Sequence, residues 1–193
     1  MFNMRLFRKI GSFFLDLVET VTMAMAVFVI IYLFLFQPHQ VRGSSMFPSF
    51  HDGEYILTDK ISYRLKDPKR GDVVIFRAPR NEEYDYIKRI VGLPDDTFKI
   101  ENGKIFVNNN PLNEIYLPTN HATLPGKFHK EGETFVIPKD QYFVLGDNRS
   151  HSSDSREWGL VPKENIVGKA WLRYWPTNRF GIIPEVAFQF TYL

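Results

Sequence analysis

Ser45 lies in Gly43-Ser44-Ser45-Met46-Phe47-Pro48-Ser49, a small, tightly turned stretch with paired hydroxyls. A serine hydroxyl is a weak nucleophile unless a base stands beside it. Lys88 lies in Tyr84-Asp85-Tyr86-Ile87-Lys88-Arg89-Ile90-Val91. Strand alternation would put Tyr86, Lys88 and Ile90 on one face, with Ile87, Arg89 and Val91 on the other. A lysine among apolar and aromatic neighbours either snorkels to water or is desolvated. Desolvation lowers its pKa, which a lysine needs to act as a general base near neutral pH. Taken alone, a serine-rich turn is an ordinary loop and a strand lysine an ordinary surface residue.

A third segment changes the balance: Gly146-Asp147-Asn148-Arg149-Ser150-His151-Ser152-Ser153-Asp154-Ser155-Arg156-Glu157-Trp158-Gly159. It is too polar for a core strand. Its interleaved carboxylates, guanidinia and hydroxyls are too ordered in kind for a generic linker. Histidine offers a rival to lysine, because His39 and His51 flank Ser45 and His151 adjoins Ser152 and Asp154. Nothing in the spacing selects one histidine for a Ser-His-Asp triad, and the same residues give no metal-ligand spacing.

The elements that must hold these residues read as a β-rich domain. Glu54–Thr58, Asp72–Arg77, Tyr84–Val91, Thr134–Ile137, Gln141–Leu145 and Val167–Trp175 are short apolar runs punctuated by turn residues. Residues Thr97–Val107 alternate on both sides of Asn102-Gly103, the strongest short hairpin signal. Pro162–Asn165 opens one helical turn, and Asn108–Glu133 reads as a long loop or excursion. Phe180–Leu193, broken by Pro184 and Glu185, reads as a last strand or an interfacial patch.

Before this domain, Thr20 to Val41 contains no Asp, Glu, Lys or Arg. Begun at Leu17, the stretch is long enough for a bilayer, which needs roughly 20 apolar helical residues. A cleavable leader fits less well, because Asp16 and Glu19 interrupt it before Ala24-Met25-Ala26 and its most apolar part comes afterwards. Residues 23–36 also lack the polar face of a core helix. Arg5, Arg8 and Lys9 precede the span and only Arg42 closely follows, which predicts a cytoplasmic N-terminus with everything beyond about residue 40 outside. The expected division is an N-terminal segment 1–16, an anchor 17–37 and an extracytoplasmic domain 38–193. The formal net charge of +2 is too small to argue for nucleic acid, and the lack of cysteine excludes disulfides and thiol catalysis.

Four motifs in order, Ser45-Met46-x-Pro48, Arg70-Gly71-Asp72-Val73, Lys88-Arg89-x-x-Gly92-Leu93-Pro94 and the run from Gly146 to Arg156, resemble the motif series of type I bacterial signal peptidases. The resemblance covers the chain from about Val21 to Trp175. It implies a single transmembrane helix followed by a mostly antiparallel β-rich peptidase domain in the bacterial cytoplasmic membrane. It further implies an endopeptidase that removes signal peptides from exported preproteins by a Ser-Lys dyad, near the secretion translocase and without a cofactor. By the same resemblance Ser45 is the nucleophile and Lys88 the base, with Ser152 orienting the amine. Asp147 with Arg89, and Asp154 with Arg156, would be structural ion pairs, and the Ser45 backbone N–H would hold the oxyanion. Val41, Met46, Phe50, Tyr86 and Ile87 would line shallow pockets for Ala-x-Ala before the cut. The chain departs from the family at Gly43, where some relatives supply a second oxyanion donor, at Ser49, usually Thr, and at Asp95, usually Gly. Two other functions compete: an anchored binding module in which Ser45 is a loop residue, and a self-cleaving repressor-type protease, which is soluble and carries a DNA-reading helical domain.

Overall fold

The computed structural model describes residues 4–79, 81–119, 121–186 and 188–190. Helix α1 spans Met4–Phe34. Within it Arg8–Tyr32 is apolar and long enough to cross a membrane, with a mean hydropathy of 2.1 and no burial against the rest of the chain. The helix therefore begins well before Leu17, and it stops three residues short of the expected 37. Pro38 explains the stop, since it disfavours helical backbone at the residue before it. The chain passes at once into β1, Phe36–Gln40, a sheet edge, where proline's missing N–H is tolerated.

The strands that follow are β2 (Tyr55–Asp59), β3 (Val73–Ala78), β4 (Asn81–Gly92), β5 (Thr97–Glu101), β6 (Lys104–Val107), β7 (Asn110–Asn113), β8 (Thr134–Val136), β9 (Gln141–Leu145), β10 (Val161–Pro162), β11 (Ile166–Trp175), β12 (Gly181–Ile182) and β13 (Gln189–Phe190). Two four-residue helices, α2 (Ser62–Leu65) and α3 (Ser155–Trp158), complete the set. The larger sheet runs β1-β2-β11-β3-β4-β9-β10, with β12 beside β11, and the smaller runs β13-β7-β6-β5-β8. The strand pairings along both paths are antiparallel.

The expected strands are present with no end moved by more than three residues, and the expected helical turn is a 3-10 turn over Lys163–Asn165. Asn102 and Gly103 both take positive φ, 52° and 73°, as a tight two-residue hairpin requires. The excursion read as a loop contributes β7, paired to β6 and β13. The C-terminal stretch supplies two two-residue strands, and residues 191–193 lie outside the described part.

Strand β3 is buried on both faces. Val73 and Ile75 join Val41, Met46, Phe50, Ile56, Ala170 and Ile183 on one side, while Val74 and Phe76 join Ile90, Tyr142, Val144 and Val161 on the other. A third cluster, including Val91, Phe98, Ile105, Ile137 and Phe143, links the two sheets. Complete burial of each such side chain contributes about 1.5–3 kcal/mol. Strand β4 runs through all this apolar packing, so a lysine placed on it is surrounded before any chemistry is considered.

Candidate active site

The nucleophile turn follows β1 and is pinned at several points. Gly43 adopts φ +82° and its N–H donates to Asp52 Oδ1 at 2.6 Å. Phe50 N–H donates to the Met46 carbonyl at 2.9 Å, and Arg173 Nη2 to the Ser49 carbonyl at 2.6 Å. Asn148 N–H donates to the Ser45 carbonyl at 3.0 Å and Asn148 Nδ2 to the Ser44 carbonyl at 3.1 Å. The polar segment after β9 thus clamps the turn that carries Ser45. Among the described residues no acceptor takes the Ser45 N–H.

Lys88 Nζ lies 2.9 Å from Ser45 Oγ and donates to the Ile87 carbonyl at 2.9 Å. The residue is 5% exposed. Burial brings its amine down to about 8, against the smaller opposing pull of the Asp154 and Asp147 carboxylates. Desolvation wins because neither carboxylate is free. Asp147 takes Arg89 in a two-bond fork at 2.9 and 2.7 Å, and Asp154 takes Arg156 at 2.7 and 2.9 Å. Arg89 also donates to the Gly71 carbonyl and stacks 4.2 Å from the Tyr116 ring centre. Asp154 caps α3 and accepts the Gly146 N–H at 3.1 Å.

Ser152 Oγ is buried with no hydrogen-bond partner among the described residues, so the expected bond to the Lys88 amine is not formed. The hydroxyl still lies beside the nucleophile turn. A Cβ on Gly146 would fall 2.2 Å from Ser152 Oγ and 2.5 Å from the Ser45 carbonyl oxygen. Only glycine fits there.

Beside the dyad is a groove of about 460 Å³. His39–Arg42 line one wall and Tyr84–Lys88 the other, with Ile56 and Ile75 between them. Val41, Tyr86 and Ile87 lie on this surface. Met46 and Phe50 do not; each is 1% exposed, packed in the cluster that backs the groove through Val41, Ile56 and Ile75. Their large apolar side chains gain more from that cluster than from an open surface. Among the described residues β1 pairs with β2 alone, and Asp85–Lys88 of β4 with β3 alone, so each wall presents a free strand edge to the groove. Alternating antiparallel steps along β1-β2-β11-β3-β4 make β1 and β4 run in the same direction.

The three histidines are engaged elsewhere. His39 joins Thr58 Oγ1 at 2.8 Å and Asp85 Oδ2 at 3.1 Å through its two ring nitrogens. His51 stands 3.6 Å from Glu54, and His151 contacts Ser150 and Asn148.

Sequence reasoning missed the ion pair between Glu114 and Arg149. Arg149 Nη1 donates to Glu114 Oε2 at 2.9 Å, and Tyr116 OH donates to Glu114 Oε1 at 2.5 Å. Burial raises the Glu114 carboxyl, but Arg149 and the hydrogen bonds from His121 and Tyr116 outweigh it, holding the group at about 2. Arg149 stands inside the polar motif, where a partner was to be expected. Glu114 stands in the excursion, which offers no local signal. Asp95 takes φ +65° in the position the family gives to glycine, a conformation Asp tolerates better than most.

Known proteins resemble this chain over most of its length. The family model described as signal peptidase, peptidase S26, matches residues 14–175. A probable signal peptidase I-2 from Synechocystis is 36% identical over 90% of this chain and 78% of its own. Signal peptidase IB from Staphylococcus aureus is 36% identical over 86% of this chain and 93% of its own. A crystal structure of a signal peptidase I from Enterococcus faecalis is 30% identical, covering 54% of this chain and 97% of its own at a TM-score of 0.45.

Proposed function

The chain belongs to the signal peptidase family, peptidase S26, and we propose that it cuts by a Ser-Lys dyad after small side chains. At the coarser level it is a serine endopeptidase that removes signal peptides. The finer reading rests on one observation, the 2.9 Å approach of Ser45 Oγ to a lysine amine buried among apolar groups.

In the neutral form Lys88 accepts the Ser45 hydroxyl proton as Oγ attacks the scissile carbonyl carbon. The Ser45 backbone N–H, which meets no acceptor among the described residues, holds the developing oxyanion. The C–N bond then breaks, and the Lys88 ammonium gives its proton to the leaving amine. Water attacks the resulting acyl ester as Lys88 takes its proton, the bond from the acyl carbon to Ser45 Oγ breaks, and Lys88 returns the proton to Oγ. Ser152 Oγ, which does not bond the amine in this structure, is a buried hydroxyl without a partner among the described residues. The Arg89–Asp147 and Arg156–Asp154 pairs fix β4 and the polar segment rather than react.

The substrate lies extended between β1 and β4, adding main-chain hydrogen bonds to both free edges. Its side chains meet a floor of Val41, Ile56 and Ile75, which are 3%, 0% and 2% exposed. Those residues are already packed from behind and leave only shallow depressions, which admit Ala at the first and third positions before the cut. The span in α1 anchors the enzyme, with the basic residues before it facing the cytoplasm and the β-domain outside.

The test is turnover of one preprotein by purified full-length variants, each checked for folding by circular dichroism. Ser45→Ala and Lys88→Arg abolish cleavage, since a guanidinium stays protonated and cannot act as base. Single Ala substitutions of His39, His51 and His151 retain most of it. Wild-type rate rises with pH through the titration of Lys88 near 8. Substantial activity in Lys88→Arg, or equal cutting of peptides carrying Leu or Phe in place of either Ala, overturns the reading.

A further inference from the structure

A second cleft, about 930 Å³, adjoins the catalytic groove and shares Asp85 with it. Its lining includes Lys60, Arg64, Arg77, Lys139 and Lys163, five cations against the carboxylates of Asp85, Asp140 and Glu164. Asp85 is held by His39, and Lys163 by Asp67. Arg64, Arg77 and Lys139 are exposed, and their side chains form no ion pair or hydrogen bond with a described residue. Three cations without an ion-pair partner among the described residues thus line one concavity in which basic groups outnumber carboxylates five to three.

The cleft lies where the apolar helix ends. Gln37, three residues beyond Phe34, lines it. Lys60 N–H donates to the Leu35 carbonyl at 3.0 Å, tying the cleft wall to the residue that directly follows the helix. Beside Arg64, Leu65 is 78% exposed on α2, a helix with no buried residue. Guanidinia lining a cleft near the end of a spanning helix, with an exposed leucine next to Arg64 in the chain, match a phosphate attached to acyl chains.

We propose that this cleft binds the phosphate of an anionic phospholipid headgroup, an inference that rests on α1 being a membrane anchor. Arginine forks accept phosphate oxygens two at a time, and each basic group near an anionic surface adds attraction within a Debye length. The bound lipid would hold the β-domain against the membrane with its groove next to the emerging substrate.

The experiment uses the full chain in nanodiscs of mixed phosphatidylcholine and phosphatidylglycerol, with lipids retained by the protein counted by native mass spectrometry. Wild type retains phosphatidylglycerol over phosphatidylcholine by roughly tenfold relative to the bulk bilayer. The triple variant Arg64→Gln, Arg77→Gln, Lys139→Gln falls to the bulk ratio while cleaving a short peptide normally in pure phosphatidylcholine discs. That normal cleavage separates failure here from failure of the dyad reading. A control triple that removes the same charge elsewhere, Lys104→Gln, Lys127→Gln, Lys130→Gln, keeps the enrichment. The proposal is overturned if wild type shows no preference, if the cleft variant keeps it, or if the control loses it equally. Two further outcomes also overturn it. Inorganic phosphate giving an Arg64- and Arg77-dependent thermal shift in pure phosphatidylcholine discs assigns the cleft to a soluble anion. Loss of cleavage only for precursors that are acidic after the cut, with lipid enrichment unchanged, assigns it to the substrate.

Discussion

Replacing Lys88 by methionine should destroy activity yet make the protein more stable at neutral pH. Burial takes the amine from 10.5 to about 8. Each pH unit of that displacement is worth about 1.4 kcal/mol, so carrying the ammonium in the folded state costs about 3 kcal/mol at pH 7. Methionine has similar length and no charge to desolvate. It forfeits the hydrogen bonds to Ser45 Oγ and the Ile87 carbonyl, worth about 1 kcal/mol each. The net gain for Lys88→Met is roughly 1 kcal/mol near pH 7. The sign then changes with pH. The folded pKa lies below the unfolded one, so between 8 and 10.5 the unfolded chain holds a proton that the folded chain has released. Wild-type stability therefore rises with pH across that window. The advantage of methionine shrinks by roughly 2 kcal/mol between about pH 7 and 9.5 and reverses. Urea unfolding of both full-length proteins in detergent, followed by the fluorescence of Trp158, Trp171 and Trp175, measures the difference at each pH. A difference that stays constant from neutral to alkaline pH, or a variant less stable at pH 7, refutes the claim that desolvation governs this lysine.

Gly146→Ala should lower kcat by about 100-fold with the fold retained, because its methyl displaces Ser152 and the Ser45 carbonyl together; single-turnover rates and circular dichroism check this. Asp147→Ala leaves the Arg89 guanidinium buried without its partner and should cost about 3–5 kcal/mol in urea unfolding, more than the double replacement Arg89→Met, Asp147→Leu. The Glu114 carboxyl, held at about 2 against an ordinary 4.5, contributes stability that is present above pH 4.5 and is lost as pH falls toward 2. Acid titration of Glu114→Gln should accordingly show a flatter decline than wild type over that range.

Much of this was legible from local pattern. Hairpin chemistry at Asn102-Gly103, period-two alternation along β4 and an uncharged run from Thr20 are properties of neighbouring residues, and neighbours suffice to read them. The alternation even places Lys88 among apolar groups, since side-chain direction in a strand depends only on parity. The end of α1 at Phe34 was legible too, through Pro38, although hydropathy alone carried the anchor past it. What the chain could not announce locally are contacts between distant segments. Asn148 clamping Ser44 and Ser45, Glu114 meeting Arg149, and β1 facing β4 across the groove depend on how strands far apart in sequence return to one sheet. The same holds for Met46 and Phe50, whose apolar character suits a groove wall and a core equally. The choice was made by the cluster of Val41, Ile56, Val73 and Ile75 behind them, because burying a large apolar side chain completely is worth more than covering it on one side.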